Sequence, residues 1–229
     1  MNVEENFVLI SGLICEPTRA RLLWNLLDGR AYTASELAIV GDISATSASN
    51  HLSKLLEADI IKVELQGRHR YYSFSKPEVA YVVESLASLA NAQSGKTIKQ
   101  QAIPEGIRFC RTCYDHLAGY VAVRLVDAME SKGIIQKADG AYLVTKKGWK
   151  WFAEFDIDKI SFQNMRRPLT RQCLDWSERR PHLAGQLGAV LLDRMLDRKW
   201  FKKIEHSREL KLTLKGREEL QRRIGIIPS

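Results

Sequence analysis

Residues 44–74 read SATSASNHLSKLLEADIIKVELQGRHRYYSF, and this stretch decides the fold of the N-terminal part. Its first half has alanine and leucine at helical spacing, which predicts a helix from about Ser44 or Thr46 to Ala58. Its second half predicts a strand over 60–65, a turn over 66–68 and a returning strand over 69–74. A helix followed by such a hairpin is typical of a winged helix-turn-helix.

Three patterns upstream complete this predicted domain. Apolar residues recur at helical spacing over 2–15, and Pro17 opens a second, leucine-rich helix. Thr33 and Glu36 are placed to cap a short helix over 37–40. That short helix and the helix near 44–58 then form the helix-turn-helix, and a fifth helix is predicted to follow the hairpin.

The predicted second helix of the motif and the wing carry side chains suited to DNA. Asn50 can pair bidentately with adenine, and the basic residues of the wing can reach phosphates or the minor groove. The predicted DNA-binding residues are Thr46, Ser47, Ser49, Asn50, His51, Lys54, Arg68, His69 and Arg70. A solvated helix face is the alternative for the small polar residues, and the adjacent wing favours DNA contact.

Four short motifs together resemble the ArsR family of bacterial winged-helix repressors. They are Glu16-Pro17-Thr18-Arg19, Ser35-Glu36-Leu37-Ala38, Ala48-Ser49-Asn50-His51-Leu52-Ser53-Lys54-Leu55 and Gly67-Arg68-His69-Arg70-Tyr71-Tyr72. The resemblance covers about residues 5–93. It implies a homodimer built from the first and fifth helices, a two-fold DNA operator and an inducer that releases the DNA.

One departure from the family concerns metal sensing. Metal-sensing members often carry Cys-x-Cys on the third helix, where this chain reads Leu37-Ala38-Ile39. The predicted fifth helix offers only Glu78 and Glu84 as metal ligands. Sensing is therefore expected in the C-terminal part.

Charge is distributed unevenly along the chain. The net charge is +8 and the pI about 9.3, which indicates a polyanionic partner. Residues 1–95 hold 8 basic and 11 acidic side chains, so the excess of basic residues lies beyond them. Composition is that of a globular protein, no apolar run is long enough to cross a bilayer, and the acidic start differs from a secretion signal. A cytoplasmic protein without a membrane partner is expected.

The C-terminal part contains an internal repeat. Residues 116–129 align with 182–195, and Thr145–Gly148 aligns with Thr213–Gly216. The pattern predicts two helix–hairpin–helix, winged-helix-like repeats over 107–229. The predicted fold class is thus mainly α with small β-hairpins (α+β). A DNA-binding and dimerisation domain over 1–93 and a linker over 94–106 would precede an effector-sensing domain.

Cysteine and histidine recur in this C-terminal part. The spacing of three places Cys110, Cys113 and His116 on one face of a helix or its entering turn. Packing of the repeats about a pseudo-two-fold axis would bring Cys173 and His182 near them. The candidate metal or redox residues are Cys110, Cys113, His116, Cys173 and His182. Three readings stay open: structural thiols, a bound metal or metalloid, and a thiol redox or electrophile sensor. No cofactor is certain.

The predicted function is transcription regulation by a homodimeric, DNA-binding repressor whose affinity for its operator is modulated through the C-terminal domain. A metal or metalloid, thiol oxidation or a small ligand would serve as the signal. The alternative is an interaction protein or a thiol-dependent enzyme without its own operator. No enzyme is predicted, because the sequence lacks the phosphate-loop, nucleophile-elbow and zinc-hydrolase motifs. The inducer and operator are left open.

Overall fold

The protein is described by a computed structural model that covers residues 2–93, 105–162, 167–205 and 207–226. It divides into two compact units, Met1–Leu86 and Ala87–Ser229. The predicted linker over 94–106 lies outside the described residues, apart from its last two. In the described part of the chain, no helix combines the length and the apolar character needed to cross a membrane.

Four helices open the N-terminal unit. They are α1 (Val3–Cys15), α2 (Pro17–Leu26), α3 (Ala34–Gly41) and α4 (Ala45–Glu57). The predicted capping box is present, since the Thr33 hydroxyl accepts from the Glu36 N–H at 3.3 Å and the Thr33 N–H donates to the Glu36 carboxylate at 2.7 Å. This box starts α3 at Ala34, three residues before the predicted helix. Ser44 caps α4 through the Ser47 N–H at 3.1 Å.

A small sheet and a fifth helix complete the N-terminal unit. The sheet contains β1 (Tyr32–Thr33), β2 (Ile61–Gln66) and β3 (His69–Phe74) in the order β1-β3-β2, and the helix is α5 (Pro77–Gln93). Strands β2 and β3 form a regular antiparallel hairpin. Its turn contains Gly67 at φ +60°, a conformation that favours glycine. The predicted fold class, with a winged helix-turn-helix at the N-terminus, is confirmed.

Buried apolar side chains of three helices and the hairpin form the core of the N-terminal unit. They include Leu22, Leu23, Leu26, Leu27, Leu37, Ala48, Leu52, Leu55, Ile60, Ile61, Tyr72 and Phe74. Helix α4 packs against α3 and α2 through its buried stripe. Its opposite, polar face is therefore turned toward solvent.

The C-terminal unit contains two series of elements in the same order: hairpin, helix, hairpin, helix. The first comprises β4 (Arg111–Cys113), β5 (His116–Ala118), α6 (Tyr120–Ser131), β6 (Ile135–Lys137), β7 (Tyr142–Val144) and α7 (Lys146–Ala153). The second comprises β8 (Arg171–Leu174), β9 (Pro181–Ala184), α8 (Gly185–Asp197), β10 (Phe201–Lys203), β11 (Leu210–Leu212) and α9 (Leu214–Ile224). Their interpretation as winged-helix-like repeats stays a prediction.

The predicted helical placement of the first cysteines and histidine is wrong. Cys113 and His116 lie on the strands of a hairpin, and the helix begins only at Tyr120. The reason is Gly119, whose φ of +88° ends the strand and whose Cβ, if present, would lie 2.8 Å from the Arg108 carbonyl oxygen. Gly185, the first residue of α8, likewise follows directly after β9 and has φ +85°.

One continuous apolar core holds the two series together. Helix α6 packs on β9 of the second series, and α8 packs on β5 of the first, so each helix covers the other series' hairpin. Leu117, Leu183 and Met195 are among the buried side chains of this core. With each helix packed on the hairpin of the other series, the strands β5 and β9 are in contact.

Candidate functional site

Helix α4 presents a polar face on the surface of the N-terminal unit. Thr46, Ser49, Asn50 and Lys54 are exposed, while Ser47 is half-buried. Ala48, Leu52 and Leu55 point the other way into the core, which fixes the rotation of the helix. The second helix of a helix-turn-helix with such a face has the shape that enters the major groove of DNA.

The tip of the β2–β3 hairpin supplies basic side chains. Arg68, His69 and Arg70 are all exposed there. Arg70 lies opposite Leu65 in the ladder and His69 opposite Gln66, so successive side chains alternate between the two faces of the wing. The wing thus offers cations in two directions, which suits contacts to phosphates on either side of a groove.

His51 differs from the other predicted DNA-binding residues. Its side chain is half-buried, and its Nδ1 lies 3.4 Å from a carboxylate oxygen of Glu16. Burial would raise the pKa of Glu16, but the backbone N–H groups of Arg19 and Thr18, with Arg19 and His51 nearby, lower it below its ordinary value. His51 therefore contacts the start of α2 within its own chain.

Two helices of the protein carry exposed apolar side chains. On α1 these include Phe7, 69% exposed, and Val8, Leu9 and Ile10; on α5 they include Leu89, 57% exposed. Large apolar groups grouped on a surface mark interaction sites more often than chance exposure does. The two faces are chemically suited to contact another protein surface.

A compact group of two cysteines and two histidines lies in the C-terminal unit. Cys113 and His116 are cross-strand partners in the β4–β5 hairpin, and Cys173 and His182 are cross-strand partners in the β8–β9 hairpin. Their four ligand atoms all lie within 4.8 Å of one another. We call these four residues the Cys/His cluster.

Two distances define the centre of the Cys/His cluster. The Sγ atoms of Cys113 and Cys173 are 3.8 Å apart, and the Nε2 atoms of His116 and His182 are 3.1 Å apart. Both histidines are fully buried, Cys113 is buried, and Cys173 is half-buried. Thiol and imidazole groups that converge in this way form a donor set for borderline and soft metal ions.

A carboxylate lies beside the outer nitrogen of each histidine. His116 Nδ1 lies 3.1 Å from Asp115, which also forms an ion pair with Arg167. Burial would raise the pKa of Asp115, but hydrogen bonds from His116 and Arg167 outweigh it and lower the pKa. The carboxylate is therefore ionised, so it accepts the proton of Nδ1 and leaves Nε2 to face the cluster.

The second histidine also has a carboxylate near its outer nitrogen, at a longer distance. His182 Nδ1 lies 3.5 Å from Asp175, which accepts from Arg111 at 2.9 Å and from the Gly119 N–H at 2.6 Å. Burial would raise the pKa of Asp175, but the charges of Arg111 and His182 hold it well below its usual range. A carboxylate beside each Nδ1 is the common outer shell of metal-binding histidines.

The Cys/His cluster attracts positive charge. Burial opposes protonation of His116, but the Cys113 sulfur and the Asp115 carboxylate outweigh it and raise the pKa of His116 to about 9. Two Nε2 atoms whose lone pairs face each other at 3.1 Å repel unless a proton or a cation lies between them.

The helix-turn-helix also appears in comparisons with known proteins. A family model described as a helix-turn-helix domain matches residues 15–64. The uncharacterized HTH-type transcriptional regulator YdfF of Bacillus subtilis is 39% identical over 221 residues, which covers 96% of this chain and 98% of that protein. The chain belongs to the HTH-type transcriptional regulators. The prediction of a helix-turn-helix transcriptional regulator is confirmed.

Two further similarities each cover less than half of this regulator. The transcriptional repressor SdpR of Bacillus subtilis is 39% identical over 62 residues, which covers 27% of this chain and 68% of that protein. The homodimeric winged helix-turn-helix domain of Mb0332 from Mycobacterium bovis, a possible ArsR-family regulator, is 17% identical. It covers 40% of this chain and 84% of that one, with a TM-score of 0.38.

In this regulator the structure brings together four of the five predicted metal or redox residues. Cys110 is not part of the group whose ligand atoms converge. It lies fully buried in the apolar core, and burial raises the pKa of its thiol. A thiol in such surroundings is a poor nucleophile and a poor ligand.

Sequence reasoning missed the two carboxylates beside the histidines. A signal was available, because both cysteines of the cluster are followed two residues later by aspartate, as Cys113-Tyr-Asp115 and Cys173-Leu-Asp175. Their cationic partners, Arg111 and Arg167, have no such spacing in common.

Proposed function

We propose that this HTH-type regulator is a homodimeric repressor that binds a two-fold DNA operator. Its α4 helices would enter successive major grooves, and the two wings would contact the flanking phosphates or minor groove. The C-terminal unit would modulate the affinity for the operator. The observation that carries this proposal is the exposed polar face of α4 beside a wing with a basic tip.

The chemistry of this surface supports readout of DNA. Asn50 is exposed near the middle of α4, where an amide side chain can pair with adenine in the major groove. Thr46, Ser49 and Lys54 flank it on the exposed face. We assign base contacts to Asn50 and phosphate contacts to Lys54 and the wing residues Arg68, His69 and Arg70. Ser47 and His51, which are half-buried, would contribute less.

The exposed apolar faces support a dimer. Phe7 and its neighbours on α1, and Val82, Leu86 and Leu89 on α5, leave apolar side chains in contact with water in a single chain. Burial of this area against a second copy is favourable by about 25 cal/mol for each Å² removed from water. Two copies related by a two-fold axis would then present two α4 helices to the operator.

The name of one relative supports repression. SdpR is a transcriptional repressor, and its similarity to this chain falls on a stretch the length of the helix-turn-helix core. Modulation is proposed from the Cys/His cluster. A metal ion, oxidation of the two thiols or a small ligand would each change this cluster, and a coupling of roughly 1–3 kcal/mol to the dimer would release the DNA.

Selection from random duplex DNA with the purified full-length protein tests the proposal. The enriched sequence should be two-fold symmetric, and fluorescence anisotropy then gives the affinity. Arg68→Glu with Arg70→Glu should reduce the affinity at least a hundredfold, because attraction to phosphates becomes repulsion. The control is Lys62→Glu, which alters an exposed cation of the same hairpin away from its tip.

Three outcomes would contradict the proposal. Failure to enrich any sequence would favour the alternative of an interaction protein without its own operator. Operator binding that survives reversal of both arginines would show that the wing does not contact DNA. A decrease of equal size in the Lys62→Glu control would show that overall charge, and not the tip of the wing, determines the affinity.

A further inference from the structure

The donor geometry of the Cys/His cluster matches one coordination polyhedron. With Zn–S near 2.3 Å and Zn–N near 2.0–2.1 Å, a tetrahedral site has edges of about 3.8 Å between sulfurs and about 3.3–3.4 Å between nitrogens. The observed distances are 3.8 Å between Cys113 Sγ and Cys173 Sγ and 3.1 Å between the two Nε2 atoms. All remaining pairs lie within 4.8 Å. The cluster is thus already near the size of a tetrahedral site.

With both cysteines as thiolates, the charges around the Cys/His cluster balance when one dication is bound. Each of the two carboxylates is paired with an arginine, Asp115 with Arg167 and Asp175 with Arg111. Two thiolates would add two negative charges at a buried centre, which is unfavourable without a partner. A divalent cation neutralises both thiolates and separates the two facing Nε2 atoms.

The donor set also selects among metals. Two sulfur and two nitrogen donors in a tetrahedral arrangement suit Zn²⁺, whereas Mg²⁺ and Ca²⁺ prefer oxygen ligands. A trivalent metalloid bound through three thiolates would need Cys110, which lies in the apolar core outside the cluster. All four positions of the tetrahedron would be filled by protein side chains, which is typical of structural and not catalytic zinc sites.

We propose that Cys113, His116, Cys173 and His182 bind one Zn²⁺ ion tetrahedrally and that this ion fastens the β4–β5 hairpin to the β8–β9 hairpin. Binding releases the thiol protons to solvent, since zinc takes thiolates as ligands. Half-buried Cys173 is the ligand through which the ion enters and leaves. Any effect of the zinc ion on DNA binding rests on the proposed function. The zinc site itself does not depend on that function.

The first test is metal analysis of the full-length protein, purified under reducing, anaerobic conditions without chelator. Wild type should retain about one zinc per chain by mass spectrometry. Cys113→Ser and Cys173→Ser should each lower retained zinc at least tenfold. Cys15→Ser is the matched control, because it changes an exposed cysteine outside the cluster and should retain the ion.

A second measurement keeps the proposal testable if the serine variants misfold. Zinc is removed from the wild type, and Co²⁺ is titrated in. The visible spectrum should show the intense ligand-field bands of tetrahedral cobalt and a sulfur-to-cobalt charge-transfer band, with saturation at one equivalent. Excess Zn²⁺ should abolish both.

Three results would overturn the inference. They are wild-type protein that holds less than a tenth of an equivalent after incubation with Zn²⁺ alone, cobalt spectra of octahedral type, and a Cys113–Cys173 disulfide in the reduced preparation. DNA selection is scored on the same preparation. Zinc without DNA binding would contradict only the proposed function, and DNA binding without zinc would contradict only this inference.

Discussion

His116 and His182 face each other through Nε2 atoms 3.1 Å apart, although 66 positions of the chain separate them. Each comes from a separate hairpin, and each has its outer nitrogen beside an aspartate. This pairing joins the two series of the C-terminal unit at one buried point.

The outer carboxylate of His116 gives a prediction on metal affinity. Asp115→Asn removes the charge that orients the imidazole and raises its basicity, so zinc affinity should fall roughly 10- to 100-fold. Competition with a chromophoric chelator measures it. Asp127→Asn is matched, since Asp127 is equally exposed and also pairs with an arginine, Arg180. Equal zinc affinities in the two variants would show that Asp115 does not contribute to zinc binding.

The buried ion pair of Arg111 and Asp175 gives a prediction on stability. Both side chains are fully buried and 2.9 Å apart. Asp175→Asn leaves Arg111 without its countercharge, which should lower the free energy of unfolding by about 3–5 kcal/mol. Asp156→Asn, which breaks the more exposed pair with Arg198, should cost less than about 1 kcal/mol.

Urea unfolding followed by tryptophan fluorescence gives the free energy of unfolding of both variants. Four of the five tryptophans lie in the C-terminal unit, at positions 149, 151, 176 and 200, so the signal reports mainly on that unit. A loss for Asp175→Asn no larger than that for Asp156→Asn would mean that solvent reaches Arg111.

The wing gives a prediction on salt dependence. Arg68→Ala should weaken binding to every DNA sequence alike and reduce the slope of log affinity against log salt by about 1 for each subunit. Asn50→Ala should leave that slope unchanged and reduce the preference for the selected base by about 1–3 kcal/mol. Anisotropy titrations at several salt concentrations separate the two effects. A sequence-dependent effect of Arg68→Ala would indicate a base contact at the wing.

The apolar face of α1 gives a prediction on assembly. Phe7→Asp replaces the burial of a phenylalanine side chain, worth about 1.5–3 kcal/mol, by a buried charge. The dimer should therefore dissociate at least 10- to 100-fold more readily in sedimentation equilibrium. Phe7→Leu keeps the face apolar and should remain dimeric. A dimer of unchanged affinity in Phe7→Asp would place the interface elsewhere.

Local signals were sufficient for the N-terminal fold. The Thr33–Glu36 capping box, the leucine spacing of α4 and the turn at Gly67 each act within a few residues, so sequence reasoning recovers them. The position of His51 against Glu16 depends on how α4 packs on α2. Sequence spacing carries no information on that packing.

The separation of three between Cys113 and His116 does not distinguish a helix from a hairpin. Cys113 and His116 are three apart, which fits one helix face, but the same separation closes a two-residue turn between paired strands. Tyr114 at φ +58° makes that turn. The local sequence supports both geometries. Gly119, at φ +88°, separates the hairpin from the helix that begins at Tyr120.

The Cys/His cluster takes two residues from each of two hairpins, so it can form only after both hairpins have been synthesised. A ribosome releases Cys113 and His116 first, and Cys173 follows 60 positions after Cys113. Until then the first hairpin has only half of its ligands and the helix that should cover it does not exist. The complete cluster therefore forms only when the second series has left the ribosome and folded against the first.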